Sequence, residues 1–196
     1  MKTAMIVDYG CGNVNSLIHF FNKLNFKSEL TKDVDKIIEG DLLILPGVGA
    51  FGVAHEAMVY SNILESITGR TRLDKPTLGI CLGFQMLTKS SDEAPGKNGL
   101  SVFDLETVKM SDGPEIGWKE IVAEINHDQI KEPFFFNHSF GIISKSEDFD
   151  GSLIPESSYL AYARKSMTIG VQFHPEKSQN SGRKFMNVLL DQIWRF

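Results

Sequence analysis

Thr77-Leu78-Gly79-Ile80-Cys81-Leu82-Gly83-Phe84-Gln85-Met86-Leu87 decides the fold. Thr77 to Ile80 reads as a short buried strand, and Phe84 to Leu87 begins a helix. Between them Gly79-Ile80-Cys81-Leu82-Gly83 has the form G-x-C-x-G, the cysteine version of a nucleophile elbow. A strand runs into a sharp turn, the turn carries the nucleophile, and a helix follows. Glycine is needed on either side because a side chain would clash in so tight a corner. This geometry pushes the Cys81 sulfur out at the carboxyl edge of a sheet, where open α/β sheets bind ligands. It also sets the sulfur near a helix N-terminus, whose positive end favours thiolate over thiol. A free cysteine alone is usually a small buried hydrophobe. The strand before and the helix after supply the context that the motif requires.

Outward from this segment, the first half of the chain repeats the same alternation. Ala4-Met5-Ile6-Val7 reads as a buried strand, and Val14, Leu17, Ile18, Phe21 and Leu24 then fall at helical spacing over roughly Asn13 to Asn25. Leu42-Leu43-Ile44-Leu45 is another buried strand, stopped by Pro46 and Gly47, and Met58, Ile63, Leu64 and Ile67 mark a later helix. Continuous apolar strands separated by helices predict a mostly parallel sheet with helices on both faces. From Leu100 to about Phe173 the pattern changes. Val102 to Leu105, Phe134 to Phe136, Tyr159 to Tyr162 and Ile169 to Phe173 read as mixed or antiparallel strands. Phe185, Leu189, Leu190 and Ile193 mark a closing helix. There is no internal repeat, low-complexity tract or linker, so the expectation is one compact α/β domain over residues 1–196.

Composition narrows the function classes. The formal net charge is -5 and the basic residues are scattered, which argues against a nucleic-acid partner. The two cysteines, Cys11 and Cys81, make no disulfide framework. The apolar stretch from Ala4 to Val7 is too short for a signal peptide, and Asp8 interrupts it. No run reaches the length of a membrane span. The expected compartment is the cytoplasm, where free thiols are ordinary.

A cysteine nucleophile needs a base, and the base needs an orienting group. Gln172-Phe173-His174-Pro175-Glu176 offers both: His174 ends a predicted strand in a turn fixed by Pro175, and the Glu176 carboxylate is close enough to hold one tautomer of the imidazole. His19, His55 and His127 lack this combination. His138, after the apolar run Phe134 to Phe136, is the one rival. Leu45-Pro46-Gly47-Val48-Gly49 is a second glycine-rich turn at a strand end. It can aim backbone N–H groups at an oxyanion or cradle a phosphate. Neither G-x-x-x-x-G-K-[ST] nor a full G-x-G-x-x-G is present, which favours the oxyanion role.

Three segments together resemble the triad-type (class I) glutamine amidotransferases: Pro46 to Gly52, Leu78 to Leu87 and Gly170 to Ser178. Within that group the chain is similar to the glutaminase subunits of imidazole glycerol phosphate synthase, an enzyme of histidine biosynthesis. Asp8 to Asn13, Glu93 to Gly96 and Gly117-Trp118 add to the likeness, which covers nearly the whole chain. The resemblance implies a flavodoxin-like domain in which Cys81 attacks the glutamine amide to form a γ-glutamyl thioester. His174 moves the proton and Glu176 orients His174. Leu82 supplies one oxyanion N–H, and the loop at Val48 and Gly49 supplies another after a rearrangement triggered by the partner. Gly47, Gln85, Asn137, His138 and Ser139 then hold the glutamine, and no metal or cofactor is called for. The implied partner is a separate (βα)₈-barrel synthase in a heterodimer, docked near Gly117, Trp118 and Lys177. That synthase receives the ammonia and makes imidazole glycerol phosphate and AICAR.

Two segments depart from the family pattern. Pro114-Glu115-Ile116-Gly117-Trp118-Lys119 stands where the subunit usually has Pro-His-Met-Gly-Trp-Asn, and Phe136-Asn137-His138-Ser139-Phe140 where it tends to have Phe-Val-His-Ser-Tyr. Neither touches the triad. They leave open a paralogue that supplies ammonia for amidination of a surface-polysaccharide sugar. A non-catalytic scaffold and a standalone cysteine hydrolase or peptidase are further readings of the same fold.

Overall fold

The computed structural model describes residues 1–125, 128–144 and 150–194, with the side chains of 124 and 128 left aside. His127 lies outside the described residues. The chain order begins β1 (Lys2–Val7), α1 (Val14–Lys23), β2 (Phe26–Thr31), α2 (Val34–Glu39), β3 (Leu42–Leu45), α3 (Phe51–Tyr60), α4 (Leu64–Arg72), β4 (Thr77–Ile80) and α5 (Leu82–Met86). It continues with β5 (Ser90–Ser91), β6 (Glu106–Lys109), β7 (Glu115–Ile125), β8 (Asp128–His138), β9 (Phe140–Ile143) and β10 (Asp150–Leu153). It closes with β11 (Leu160–Lys165), β12 (Thr168–Val171), a single 3₁₀ turn (Pro175–Lys177) and α6 (Gln179–Ile193).

The main sheet has seven strands in the order β10-β11-β12-β4-β3-β1-β2. β2, β1, β3, β4 and β12 run parallel, while β11 and β10 continue the sheet antiparallel. The parallel part has the 2-1-3-4-5 order of flavodoxin-like folds. The expected α/β class, with a mostly parallel sheet flanked by helices and antiparallel strands in the second half, is what the chain adopts.

Alternation along the strands splits the core in two. Ala4 and Ile6, Leu42 and Ile44, Leu78 and Ile80 face one layer, where α1, α6 and the β7–β8 hairpin pack. Met5 and Val7, Leu43 and Leu45 face the other, with α2 to α5. A side chain of this size contributes about 1.5–3 kcal/mol when it leaves water. That is why strands covered on both sides read as unbroken apolar runs.

Several elements differ from expectation. The run through Met58, Ile63, Leu64 and Ile67 is two helices, because Asn62 takes a left-handed φ of 54° and breaks the chain between α3 and α4. Val102 to Leu105 is a loop rather than a strand; Phe103 instead lays its ring edge-on against Phe84 of α5, with 5.6 Å between centroids. Phe134 to Phe136 is the end of the long β8, paired antiparallel with β7 from Ile125↔Asp128 to Glu115↔His138. Among the described residues no helix is long and apolar enough to cross a membrane.

Candidate active site

β4 ends at Ile80 and delivers Cys81 onto the turn expected of it. Cys81 has φ 49° and ψ −103°, a strained backbone for a residue with a Cβ. Its N–H is fixed to the Val171 carbonyl at 2.7 Å, and its carbonyl accepts from Gln85 N–H at 3.0 Å. The flanking glycines are sterically required. A Cβ on Gly83 would come 2.0 Å from the Leu45 carbonyl oxygen, and one on Gly79 would come 2.6 Å from the Gly83 oxygen. The turn therefore fits only because strand, helix and the neighbouring strand β3 are in backbone contact.

His174 follows β12, the other neighbour of β4. Its N–H donates to the Phe135 carbonyl at 2.9 Å, and its own carbonyl accepts from the Ser178 hydroxyl at 2.6 Å. That hydroxyl accepts in turn from the Phe135 N–H at 3.0 Å. Beneath it Phe173 stacks on Phe134 at 4.2 Å and meets Phe185 edge-on at 5.1 Å. The backbone of the base is thus pinned by two strands and an aromatic cluster.

His174 Nδ1 lies 2.8 Å from Glu176 Oε1, and both side chains are at most 2% exposed. Burial works against a charged imidazole. Hydrogen bonds to the Cys81 side chain and to the Glu176 carboxylate outweigh it and raise His174 from 6.5 to about 9. The ring is therefore held in its protonated form beside the Cys81 sulfur, the arrangement that activates a cysteine nucleophile. Gln172 was not singled out from the sequence. It is fully buried, and its amide nitrogen points at the Cys81 sulfur at 3.6 Å.

In front of the sulfur is a cavity of about 220 Å³. Gly47, Val48 and Gly49 form one wall, Cys81, Leu82 and Gln85 the floor, and Asn137, His138 and Ser139 the opposite wall. All nine of these residues were named from the sequence. Glu93, Ile116 and Phe140 also line it. Glu93 brings a carboxylate that accepts the Phe51 N–H at 2.8 Å.

Gln85 donates its amide to the Phe140 carbonyl at 2.9 Å, and so does His138 Nδ1 at 2.9 Å. These two bonds shape the turn between β8 and β9. Burial lowers His138 to about 4 despite that hydrogen bond. It is neutral near pH 7, and since a carbonyl only accepts, its proton sits on Nδ1. His138, the rival to His174, lines the cavity, and among the described residues no carboxylate is hydrogen-bonded to its ring as Glu176 is to His174.

Trp118 and Lys177 flank Phe135, and Gly117 precedes Trp118 in β7, opposite Phe136. The Trp118 ring is 5.9 Å from the Phe135 ring, and Lys177 Nζ lies 5.8 Å above that ring on the other element. Trp118 is 49% exposed and Ile116 is 64% exposed, so the outer face of β7 beside the cavity mouth is apolar and open.

The geometry agrees with what similar proteins are called. The family model described as glutamine amidotransferase class-I matches residues 5–191. The subunit HisH of imidazole glycerol phosphate synthase from Lactococcus lactis is 32% identical, covering 98% of this chain and 100% of its own. The same subunit from Methanothermobacter thermautotrophicus is 32% identical, covering 94% and 98%. Among solved structures, a glutamine amidotransferase superposes with a TM-score of 0.78 at 15% identity, covering 96% of this chain and 98% of its own. PurLQS from Thermotoga maritima gives 0.79 at 21%, covering 98% and 100%. These two speak for the fold alone. By its elbow, by the residues gathered round it and by relatives of this identity over nearly full length, the chain belongs to the class I glutamine amidotransferase family.

Proposed function

We propose that the chain is the glutaminase subunit of an imidazole glycerol phosphate synthase, working as one domain in the cytoplasm with a (βα)₈-barrel partner. The observation that carries the chemistry is the buried His174–Glu176 pair at 2.8 Å, with His174 acting electrostatically on Cys81 at the foot of a polar cavity. The names of the HisH relatives support the pathway.

In this reading glutamine enters with its amide carbon over Cys81. Glu93 faces the α-ammonium, and Gly47, Gln85 and the Asn137-His138-Ser139 wall hold the rest. The Cys81 thiolate adds to the carbonyl carbon. The negative oxygen is met by the Leu82 N–H and, after a peptide rearrangement on complex formation, by an N–H at Val48 or Gly49. The C–N bond then breaks, His174 gives its proton to the leaving nitrogen, and ammonia departs from a γ-glutamyl thioester. A water attacks the thioester while His174 takes its proton. The C–S bond breaks, and glutamate and the free cysteine are restored. Glu176 keeps the ring oriented throughout.

Ammonia in neutral water is mostly ammonium, which has no lone pair to attack with. A sealed path into the partner keeps it unprotonated. The apolar face with Ile116 and Trp118, next to the cavity and to Lys177, is the surface offered for that docking. Barrel enzymes carry their chemistry at the C-terminal face, so the glutaminase docks at the opposite end.

The test is glutamate release by the purified protein alone, and with the histidine-pathway barrel of the same genome and its ribulotide ligand. Strong activation by that barrel, abolished in Cys81→Ala, is expected. Activity that ignores the barrel would refute the subunit role, and activity that survives Cys81→Ala would refute the chemistry.

A further inference from the structure

The loop after β1 and the loop after β3 lie side by side at the carboxyl edge, in contact at both ends. At one end Tyr9, 1% exposed, donates its hydroxyl to the Pro46 carbonyl. At the other, Cys11 sits so close to Gly49 that a Cβ there would come 2.7 Å from its sulfur. The peptides of Gly47, Val48 and Gly49 lie between these anchors. Gly47 also backs onto the nucleophile: a Cβ on it would stand 2.3 Å from the Ile80 carbonyl oxygen and 3.1 Å from the Cys81 Cβ. The described peptides are all trans. In a trans peptide the C=O and N–H point opposite ways, so holding the Pro46 carbonyl also sets the Gly47 N–H and the course of the loop beyond it.

We propose that Tyr9 is a positioning residue for the reaction: its hydroxyl fixes the base of the 47–49 loop so that the N–H groups beyond reach the oxyanion of the transition state. This rests on the oxyanion role proposed for that loop. Tyr9 does not line the cavity, so it acts through the loop and not on substrate. Its ring packs in the same core cluster as Leu45, Phe51 and Leu82, which locks the hydroxyl's direction. Burial pushes the phenol well above its ordinary value, with Cys11 and Cys81 adding to the rise, so it remains a proton donor wherever the enzyme operates.

Tyr9→Phe keeps the ring and removes only the hydroxyl. Two quantities are read on the complex: kcat and KM for glutamine, and the rate at which iodoacetamide alkylates Cys81, followed on the Cys81 peptide so that Cys11 does not interfere. Alkylation displaces iodide directly and forms no oxyanion. Deleting a whole oxyanion donor costs about 100- to 1000-fold in kcat, so misplacing one is expected to cost about tenfold. KM and alkylation are expected to stay within about twofold, because the hole acts only in the transition state. An unchanged kcat, or kcat and alkylation falling together, overturns the proposal. Val48→Pro and Gly49→Pro, each of which deletes one N–H and stiffens the loop, read the parent role separately. If both leave kcat intact, the oxyanion role falls and Tyr9's with it. If either lowers kcat with alkylation intact and Tyr9→Phe changes nothing, only the Tyr9 inference falls.

Discussion

Gly170 is where the strand carrying the base touches the helix behind the nucleophile, and Gly170→Ala tests whether that contact is as close as it stands. A Cβ there would lie 1.9 Å from Phe84 Cδ2 and 2.4 Å from both Cε2 and Cγ. Gly170 sits in extended β12 without a positive φ, so alanine is conformationally allowed. In open space the change would stabilise: one more buried carbon is worth about 0.8 kcal/mol, and lost unfolded-state freedom about 0.4–1 kcal/mol. Carbon atoms rest about 3.5–4 Å apart, so the ring or the strand has to retreat by more than about 1.5 Å. Phe84 is fully buried, with Phe103 against its ring, and has no open side to retreat to. Overpacking of this kind costs about 1–3 kcal/mol and occasionally more. With the cost at the top of that range for so close a contact, the expected net loss is about 1–2 kcal/mol, a drop of about 0.5–1 M in the urea midpoint. Adding Phe84→Leu should recover part of the loss, giving a favourable coupling in the double-mutant cycle. Glutaminase kcat should fall in the folded single variant, since any shift of α5 carries Cys81 with it. A Gly170→Ala protein as stable as the parent would refute the close-contact reasoning.

Two further outcomes follow from buried charges. His174 is held at about 9, chiefly by Cys81 and Glu176 against the opposing effect of burial. The reactive form needs it protonated, so activity should persist below that value and fall as pH rises through it. In Glu176→Gln the alkaline limb of kcat/KM should move down by about one pH unit or more, each unit being about 1.4 kcal/mol. A limb that stays at 9 would show that the carboxylate does not set the charge of the ring. Arg70, fully buried, donates to the carbonyls of Ile37, Ile38, Asp41 and Pro76 at 2.9–3.3 Å. Arg70→Met leaves those oxygens without their donor and should cost about 2–4 kcal/mol in urea unfolding; a loss below about 1 kcal/mol would mean that water replaces the guanidinium.

Legibility followed burial. β1, β3 and β4 are covered on both faces, so their sequences are plain apolar runs. β2 is an edge strand, Phe-Lys-Ser-Glu-Leu-Thr, with only its end residues buried, and α2 has six residues, too few to show a helical period. Neither announced itself. β7 alternates inward and outward, yet Glu115 and Lys119 drew attention as departures from a family pattern; in the fold they are an ion pair at 2.9 Å on the same face of one strand. The site divides in the same way. Cys81, Leu82, Gln85, His174 and Glu176 lie in contiguous motifs whose spacing mirrors a strand end and a turn. Glu93, Phe140, Gln172 and Tyr9 matter only through what folding puts beside them. Tyr9 reaches Pro46 across 37 residues, and Gln172 reaches Cys81 across 91. No local period records such distances.

Strand order explains why those separated motifs converge. β4 is the central strand of the functional edge, with β3 on one side and β12 on the other, and β1 next beyond β3. All four are parallel, so all four end at the same edge. The nucleophile leaves β4, the base leaves β12, the glycine loop leaves β3, and the tyrosine that braces it leaves β1. Adjacent strands are about 4.7–4.9 Å apart, so groups at neighbouring strand ends meet with little extra chain. Register completes the placement: Val171 pairs with Ile80 and Leu45 with Gly79, so each functional turn begins within two residues of its neighbour's. A one-residue slip of β12 would turn its core side chains to the wrong face. It would also break the 2.7 Å bond from Cys81 N–H to the Val171 carbonyl, the bond that holds nucleophile and base strands together. The register that buries Ile169 and Val171 is therefore the same register that brings His174 to Cys81.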